Sequence, residues 1–312
     1  MVLLTVVWAS VLLAVLVLPA VDDAVSAARL NAADFDRLTA EWAARAGIAR
    51  ACAELAADPR DADGLSDRWS SNDLAFHEVK AGARARYSVR AGGDGHRTPR
   101  FGVVDEDRKL GLFGTPDAVL ARVPGLTPAL LERLAAVRKS AGSTPRRSCR
   151  ILLAVPAFGP EAFYGEDWNE DGLLQENEDD GDRSLPPDDA NGVLRRGLSH
   201  WLSPWTDGRV NVNTADVEVL AALPGLAPDQ AARLVEARAR GGRPAASVAA
   251  LVQAAGLSGD AAKALAAVGK VTSEVFHVTS TGEVTGSTVR VTIEAVVRRR
   301  DSGLERLYTR RE

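Results

Sequence analysis

Two hydrophobic patterns follow one another at the start of the chain. Residues 1–21, MVLLTVVWASVLLAVLVLPAV, contain no charged side chain, and about twenty apolar residues at ~1.5 Å each span the ~30 Å core of a bilayer. From residue 22 onward, apolar residues recur every three or four positions, as in an amphipathic helix. They are Val25, Ala28, Ala32, Phe35, Leu38, Trp42, Ala46, Ala49, Cys52 and Leu55.

The two patterns together predict one helix, roughly 85 Å long, that ends before Pro59. Residues 1–21 would be its transmembrane segment, and residues 22–58 would pack on a folded domain through the apolar stripe. A cleaved secretory signal normally starts with basic residues and has a shorter apolar core, so an anchor is expected. The open alternative is a plain anchor followed by an unrelated core helix.

Alternating apolar and polar residues predict β-strands on both sides of the middle of the chain. Gly286 marks a turn between the two clearest strands, and the motif ERLYTRR near the end predicts a third strand. Two earlier segments alternate less regularly. The four segments are 275–284 and 288–300, and, less regular, 75–91 and 101–112.

The order of these elements predicts an α+β fold. A pilin-like long N-terminal helix would pack on an antiparallel sheet formed by residues 59–114 and 271–312. Residues 115–270 would form a large inserted all-α domain between the strands.

The inserted region contains a repeat with a spacing of one hundred residues. Residues 119–138 read VLARVPGLTPALLERLAAVR and residues 219–238 read VLAALPGLAPDQAARLVEAR. Each copy predicts a helix, a tight turn at Pro-Gly and a second helix, with Thr115 and Thr214 as N-caps. This is the pattern of a helix-hairpin-helix unit, and VNVNTA at 210–215 strengthens the match.

Helix-hairpin-helix units often bind DNA, because backbone N–H groups at the turn and the next helix N-terminus hold a phosphate. That use generally requires a second glycine two positions after the first. Thr127 and Ala227 occupy those positions here. A structural or protein-docking role is therefore favoured, and nucleic acid is not an expected partner.

A dense acidic stretch separates the two copies. Residues 161–189 hold twelve Asp/Glu and one Arg, and the rest of the chain carries a net charge of about +7. Within this stretch DWNEDGLLQENE fits the twelve-residue EF-hand calcium loop, with Gly172 at the sharp turn. The oxygen ligands would come from Asp167, Asn169, Asp171, Leu173 through its carbonyl, Gln175 and Glu178.

Calcium is the expected ligand, since a hard cation prefers oxygen donors at these offsets. Pro160 and Pro186-Pro187 indicate a loop-borne site without the flanking helices of an EF-hand. An unliganded, solvated acidic loop is the open alternative.

The remaining residues indicate a protein that is not an enzyme. The chain has no GxSxG motif, no P-loop, no GxGxxG motif and no metal-binding histidine pair. Its two cysteines, Cys52 and Cys149, exclude a disulfide-rich scaffold. A small buried thiol is favoured over a pair between them.

Taken together, these residues resemble the K-type minor pseudopilin of the type II secretion system, general secretion pathway protein K. The resemblance covers nearly the whole chain: MVLLTVVWASVLL, the amphipathic helix, VVDED before the first repeat copy, the acidic loop and VNVNTADVEVLAALPGL. Pilin-like proteins commonly carry Glu at the fifth mature position and the K type is the exception, with which Thr5 agrees if Met1 is near the mature start. The first repeat copy departs from the pattern, since it has KLGLFGTP where the second has RVNVNTAD.

The resemblance implies a single-pass protein of the cell inner membrane with most of the chain in the periplasm. It implies assembly with I- and J-type minor pseudopilins at the tip of a pseudopilus, contact with inner membrane lipid, the major pseudopilin and the secretion assembly platform, and calcium binding in the inserted domain. Two alternatives stay open. One is a membrane-anchored DNA receptor of the competence type, and the other is a calcium-stabilised adhesin.

Overall fold

The computed structural model describes residues 1–93, 99–141, 148–168, 170, 172–175 and 194–311. Its helices are α1 (Val2–Ala57), α2 (Asp73–Phe76), α3 (Asp117–Leu120), α4 (Pro128–Ala141), α5 (Pro160–Tyr164), α6 (Leu198–Trp201), α7 (Val217–Ala222), α8 (Pro228–Gly241), α9 (Val248–Ala254) and α10 (Gly259–Val268). Its strands are β1 (Val79–Lys80), β2 (Ala85–Gly93), β3 (Pro99–Phe101), β4 (Val104–Asp105), β5 (Leu110–Gly111), β6 (Leu202–Ser203), β7 (Val210–Asn211), β8 (Gly269–Lys270), β9 (Val275–Val284), β10 (Arg290–Arg300) and β11 (Gly303–Arg311). Two 3₁₀ helices span Glu106–Arg108 and Cys149–Ala154.

Helix α1 is continuous over 56 residues and contains Pro19. This confirms the single long helix predicted from the two hydrophobic patterns. Its apolar part is long enough to cross a membrane by length and composition, with a mean hydropathy of 2.6. The helix is therefore consistent with a single-pass membrane anchor.

The prediction of which face of α1 packs on the sheet was wrong for residues 35–42 and right for Leu55, which is buried. Phe35, Leu38 and Trp42 of the predicted stripe are 66%, 56% and 68% exposed, and Glu41, which lies outside the stripe, is buried. The buried face consists mainly of small residues, namely Ala40, Ala43, Ala44, Gly47, Ile48 and Ala51.

Close approach of the sheet explains this choice of face. A Cβ on Gly282 of β9 would lie 1.9 Å from the Ala40 carbonyl oxygen, and one on Gly47 would lie 2.1 Å from Ser280 Oγ. Real side-chain carbons do not come this close, so only glycine fits at these two positions. Most buried side chains of α1 are therefore small, although Ile48 and Leu55 also pack in this core.

The main sheet of the described chain is antiparallel and has the order β1-β2-β9-β10-β11, with β3 on β2 and β4 on β9. Strands β9 and β10 form the predicted hairpin, in which Gly286 adopts a φ of 81° at the turn. The inserted region leaves the sheet after β4 and returns at β9, which is the strand that pairs with β4. The α+β class predicted from the sequence is confirmed.

The residues that the structure describes form two hydrophobic cores. One contains Trp69 and Phe276, whose rings meet edge to face at 5.1 Å between centroids, and it joins α1 to the sheet. The other runs from Leu110 to Leu265 and fills the inserted region. This region also contains two short parallel strand pairs, β5 with β6 and β7 with β8. The division at 115 and 270 stays a prediction.

Both repeat copies place a short helix, a glycine turn and a 14-residue helix in succession. Gly125 and Gly225 adopt φ values of 79° and 74°, which lie in the left-handed region that favours glycine. The predicted N-caps were wrong, since α3 and α7 begin at Asp117 and Val217 without a side-chain cap hydrogen bond. The Thr214 hydroxyl donates elsewhere, to Asp105.

Equivalent arginines stabilise the start of each copy. Arg138 of α4 donates to the Thr115 carbonyl at 2.7 Å. Arg238 of α8, one hundred residues later, donates to the Ala215 carbonyl at 2.5 Å. The two copies therefore share a contact as well as a sequence pattern. In each copy, the second helix is hydrogen-bonded to the residues just before the first helix.

Candidate functional site

Glu166, in the acidic stretch, is hydrogen-bonded to Arg195, which follows that stretch in the sequence. The Glu166 N–H donates to the Arg195 carbonyl at 2.8 Å, and the Arg195 N–H donates back to Glu166 Oε2 at 2.6 Å. Gly165 and Arg196 form an antiparallel bridge beside them. The described residues directly after α5 therefore pair with those directly before α6.

Among the described residues of the predicted calcium loop, one backbone N–H contacts the carboxylate at position 1. The Gly172 N–H donates to Asp167 Oδ2 at 3.0 Å, so the residue at position 6 turns back onto position 1. Glu170 and Gly172 have positive φ values of 55° and 68°. Leu174, the apolar residue at position 8, is buried.

Three of the six predicted ligand residues are described by the structure. Asp167, Leu173 and Gln175 are half-buried. Asn169, Asp171 and Glu178 lie outside the described residues. A carboxylate, a backbone carbonyl and a side-chain amide are hard oxygen donors, so this donor set fits a calcium ion. Calcium itself stays a prediction.

A cleft of about 570 Å³ separates this loop from the second face of the sheet. On the loop side it is lined by Asp167, Glu170 and Gly172. On the sheet side it is lined by polar residues of β9 and β10, including Thr279 and Glu294. The sheet therefore has one face on α1 and another that faces the inserted domain.

A buried polar network joins the inserted domain to the sheet, and its centre is Asp105 at the end of β4. Asp105 Oδ2 accepts hydrogen bonds from Thr214 Oγ1 at 2.5 Å, Ser273 Oγ at 2.6 Å and Asn211 Nδ2 at 3.2 Å. Burial, and then the nearby Asp107, raise the pKa of Asp105 to about 7. VNVNTA thus supplies two side chains, Asn211 and Thr214, that hold the junction.

The two acidic residues after Asp105 extend the junction. Burial opposes ionisation of Glu106, but Lys109 and His277 keep the pKa of this carboxyl well below its ordinary value. Asp107 pairs with Lys270 at 3.0 Å and accepts the Glu274 N–H at 2.7 Å. The motif DED therefore ties both ends of the insertion to each other.

Three carboxylates, Asp58, Asp63 and Asp67, lie within 4.8 Å of one another near the end of α1. Arg299 of β10 already compensates this cluster. Its Nη2 contacts both Asp63 oxygens at 2.5 and 2.6 Å, and its Nη1 lies 3.4 Å from Asp58. Burial and the neighbouring acids raise the pKa of Asp58 to about 7. The cluster is an internal ion-pair network.

His200 and Asp216 form a second network beside the start of α7. His200 Nε2 lies 2.7 Å from Asp216 Oδ2, and Arg108 contacts the same carboxylate. Burial is the main cause that lowers the pKa of His200, to about 3, and the nearby Arg196 and Arg108 also lower it. The hydrogen bond to Asp216 raises this pKa, but by less. A neutral histidine held in this way contributes to packing.

Sequence reasoning missed the junction and Arg299. The available signals were VVDED and VNVNTA, which stood out only as parts of a resemblance. The pairing of Cys52 with Cys149 that was left open is absent from the structure, where both are free thiols. The Cys149 thiol is buried and donates to the Leu202 carbonyl at 3.1 Å.

Comparison with known families gives one match, over residues 210–269, to the family "Type II secretion system (T2SS), protein K". The resemblance stated from the sequence is confirmed over this segment. The matched segment is also a closed structural unit, because Val210 of β7 pairs with Gly269 of β8. It contains VNVNTA and the second repeat copy.

Among solved structures, a similar chain belongs to the crystal structure of the GspK-GspI-GspJ complex from the enterotoxigenic Escherichia coli type 2 secretion system. The similarity covers 91% of this chain and 99% of that chain, with 16% sequence identity and a TM-score of 0.47. No curated protein matches the sequence.

Proposed function

We propose that this chain is a K-type minor pseudopilin that stands at the tip of the type II secretion pseudopilus. There it assembles with I- and J-type minor pseudopilins, initiates the pseudopilus and supports protein export across the outer membrane. The observation that carries the proposal is the match of residues 210–269 to the protein K family. That segment belongs to a domain inserted into a sheet packed on a long N-terminal helix.

The exposed face of α1 supports assembly with other subunits. Phe35, Leu38 and Trp42 continue the apolar surface of the membrane segment into the soluble part of the helix. Isolated apolar residues on a surface are ordinary, but a contiguous stripe indicates an interaction site. A second long apolar helix, such as that of the I- or J-type subunit, has the complementary shape and chemistry.

The inserted domain supports a position at the end of the filament. It is a bulky unit fixed to the sheet by the buried Asp105 network and by the Asp107–Lys270 pair. A rigidly attached domain of this size would hinder another subunit from stacking above it. We infer that inner membrane lipid surrounds residues 1–21 before assembly, and that the major pseudopilin and the assembly platform act below the tip.

The inserted domain would also bind calcium. Asp167, the Leu173 carbonyl and Gln175 supply part of the oxygen shell, and Asn169, Asp171 and Glu178 would complete it. The hydrogen bond from Gly172 to Asp167 supports this assignment, because it gives the loop a turned form around the first ligand.

The DNA-receptor alternative is not favoured, because the matched family is a secretion-system component. Thr127 and Ala227 also stand where a phosphate-binding hairpin generally needs glycine. The matched family is a structural component of the secretion system. This agrees with the expectation that the chain is not an enzyme.

Co-purification tests the proposal. The full chain would be produced in detergent micelles with the I- and J-type minor pseudopilins of the same organism, and the molar mass measured by size exclusion with light scattering. We expect a stable 1:1:1 complex. A folded chain that elutes alone in the presence of calcium would contradict the proposal. It would favour the DNA-receptor and adhesin alternatives.

A further inference from the structure

Arg150 lies between the predicted calcium loop and the sheet. It sits on the 3₁₀ helix Cys149–Ala154, whose first residue is buried in the inserted core. Its Nη2 contacts Glu170 of the loop and lies 3.6 Å from Glu294 Oε1 on β10. One guanidinium group therefore touches carboxylates on both sides of the cleft.

The rest of the Arg150 side chain is held in place by aromatic residues of the loop base. Its Nη1 donates to the Tyr164 hydroxyl at 2.6 Å, and its guanidinium carbon lies 5.5 Å from the centre of the Tyr164 ring. Tyr164 in turn stacks on Trp168, with 6.2 Å between centroids. Because Arg is planar and has donors in a fixed fork, this setting restricts where its remaining donors point.

Glu170 occupies position 4 of the loop, which is not a ligand position. Its carboxylate is therefore available to Arg150 while its neighbours bind the ion. Its backbone adopts the left-handed conformation, with a φ of 55°, which is uncommon outside glycine and needs support from the surrounding structure. A bound ion would supply that support, and without it the like charges of the loop would repel one another.

We propose that Arg150 couples occupancy of the calcium loop to the contact between the inserted domain and the sheet. This inference rests on the calcium site proposed above and adds its regulation. Calcium fixes the loop, the loop presents Glu170 to Arg150, and Arg150 supplies a cation to Glu294. The Glu294 side chain is only 11% exposed, so its charge depends on a nearby cation more than a surface charge does.

Coupling of this kind is reciprocal. If bound calcium strengthens the contact between the inserted domain and the sheet, that contact strengthens calcium binding by the same factor. A change at Glu294, on the far side of the cleft, should therefore alter calcium affinity. It should do so only while Arg150 is present. A purely structural role for either residue would not produce this dependence.

The test is a double-mutant cycle on the full chain in detergent micelles, with calcium affinity measured by titration against a chelating dye. We expect Glu294→Gln to weaken calcium binding about fivefold, the lower end of typical coupling factors. In an Arg150→Met background the same change should have less than about a twofold effect. Glu283→Gln, which removes a partner of Arg290 at the other end of the hairpin, is the matched control and should leave affinity unchanged in both backgrounds.

Hydrogen exchange gives a second readout that does not depend on affinity. In the wild-type chain, calcium should slow amide exchange in β10 relative to chelator, and Arg150→Lys and Glu294→Gln should each remove that difference. Equal effects of Glu294→Gln with and without Arg150, or no effect in the wild-type chain, would overturn the coupling alone. A wild-type chain that binds no calcium would overturn the calcium site, and the coupling with it.

Discussion

The Thr214 hydroxyl donates to Asp105 Oδ2 at 2.5 Å, and so links two segments that are 109 residues apart in the sequence. Both residues are buried. Thr214 belongs to VNVNTA in the inserted domain, whereas Asp105 ends a strand of the main sheet. This contact joins VNVNTA, which lies in the segment that matches the protein K family, to the main sheet.

Removing that hydroxyl should destabilise the chain. Thr214→Val keeps the shape of the side chain but leaves Asp105 with one donor fewer in a buried setting, which costs about 1–3 kcal/mol. The free energy of unfolding would be measured by urea titration of the full chain in micelles. Thr309→Val, at an exposed threonine on β11, is the control and should change stability by less than about 0.5 kcal/mol. Equal stability of the two variants would contradict a role for the junction.

His200 should make stability depend on pH below neutrality. The folded chain keeps this imidazole neutral until about pH 3, whereas the unfolded chain takes up a proton near pH 6.5. The contribution of the neutral His200 to the free energy of unfolding is therefore fully present above pH 6.5. It is lost as the pH falls toward 3, by up to about 1.4 kcal/mol per pH unit.

The measurement compares the wild-type chain with His200→Gln, by urea unfolding at pH 7, 6 and 5 in chelator. Asp58 and Asp105 also titrate in this range, but they are present in both chains. The difference in unfolding free energy should therefore shrink as pH falls. A difference that is constant across the three pH values would show that the pKa of His200 is the same in the folded and unfolded chain, and would contradict the prediction.

The calcium loop makes a specific prediction for its first ligand. Asp167→Ala removes a carboxylate from the oxygen shell and should weaken calcium binding by tenfold or more, about 1.4 kcal/mol or above. Titration calorimetry of the full chain in micelles measures it. Asp260→Ala, at an exposed acid in the first turn of α10, removes the same charge elsewhere and should have little effect. Similar losses in both variants would mean that the effect of Asp167 is only long-range charge.

The exposed stripe on α1 predicts a separation of folding from assembly. Trp42→Ser should weaken recovery of the I- and J-type partners by about tenfold or more, because a large aromatic side chain at an interface typically contributes about 2 kcal/mol. Thermal stability of the chain alone should be nearly unchanged, since Trp42 is 68% exposed. Leu74→Ser, at a leucine that is 95% exposed on α2, is the matched control. Normal recovery of both partners with Trp42→Ser would exclude this face as the interface.

The sequence was sufficient for those elements whose pattern is local. The apolar run and the stripe after it predicted α1, the alternation of Val and Thr predicted β9 and β10, and the spacing of one hundred residues predicted the paired helices. Local spacing also predicted the calcium loop, which stays a prediction, and within it the Gly172 N–H donates to Asp167.

The rest depends on contacts that no local pattern encodes. The stripe containing Phe35 and Trp42 has the periodicity of a core face, and only the closeness of Gly282 to Ala40 shows that the small-residue face is the buried one. Thr214 fits the role of an N-cap in its own segment, and only the presence of Asp105 from another part of the chain gives its hydroxyl a different acceptor. In both cases a distant partner decides between two uses that the sequence allows equally.

The way in which the inserted segment joins the sheet has a consequence for how long that segment can be. The chain leaves after β4 and returns in β9, and these two strands are hydrogen-bonded neighbours, with Val104 opposite His277. A short turn could connect the same two strands without shifting the pairing of any other strand. The length of the connection between β4 and β9 can therefore vary without a change in the order of the strands.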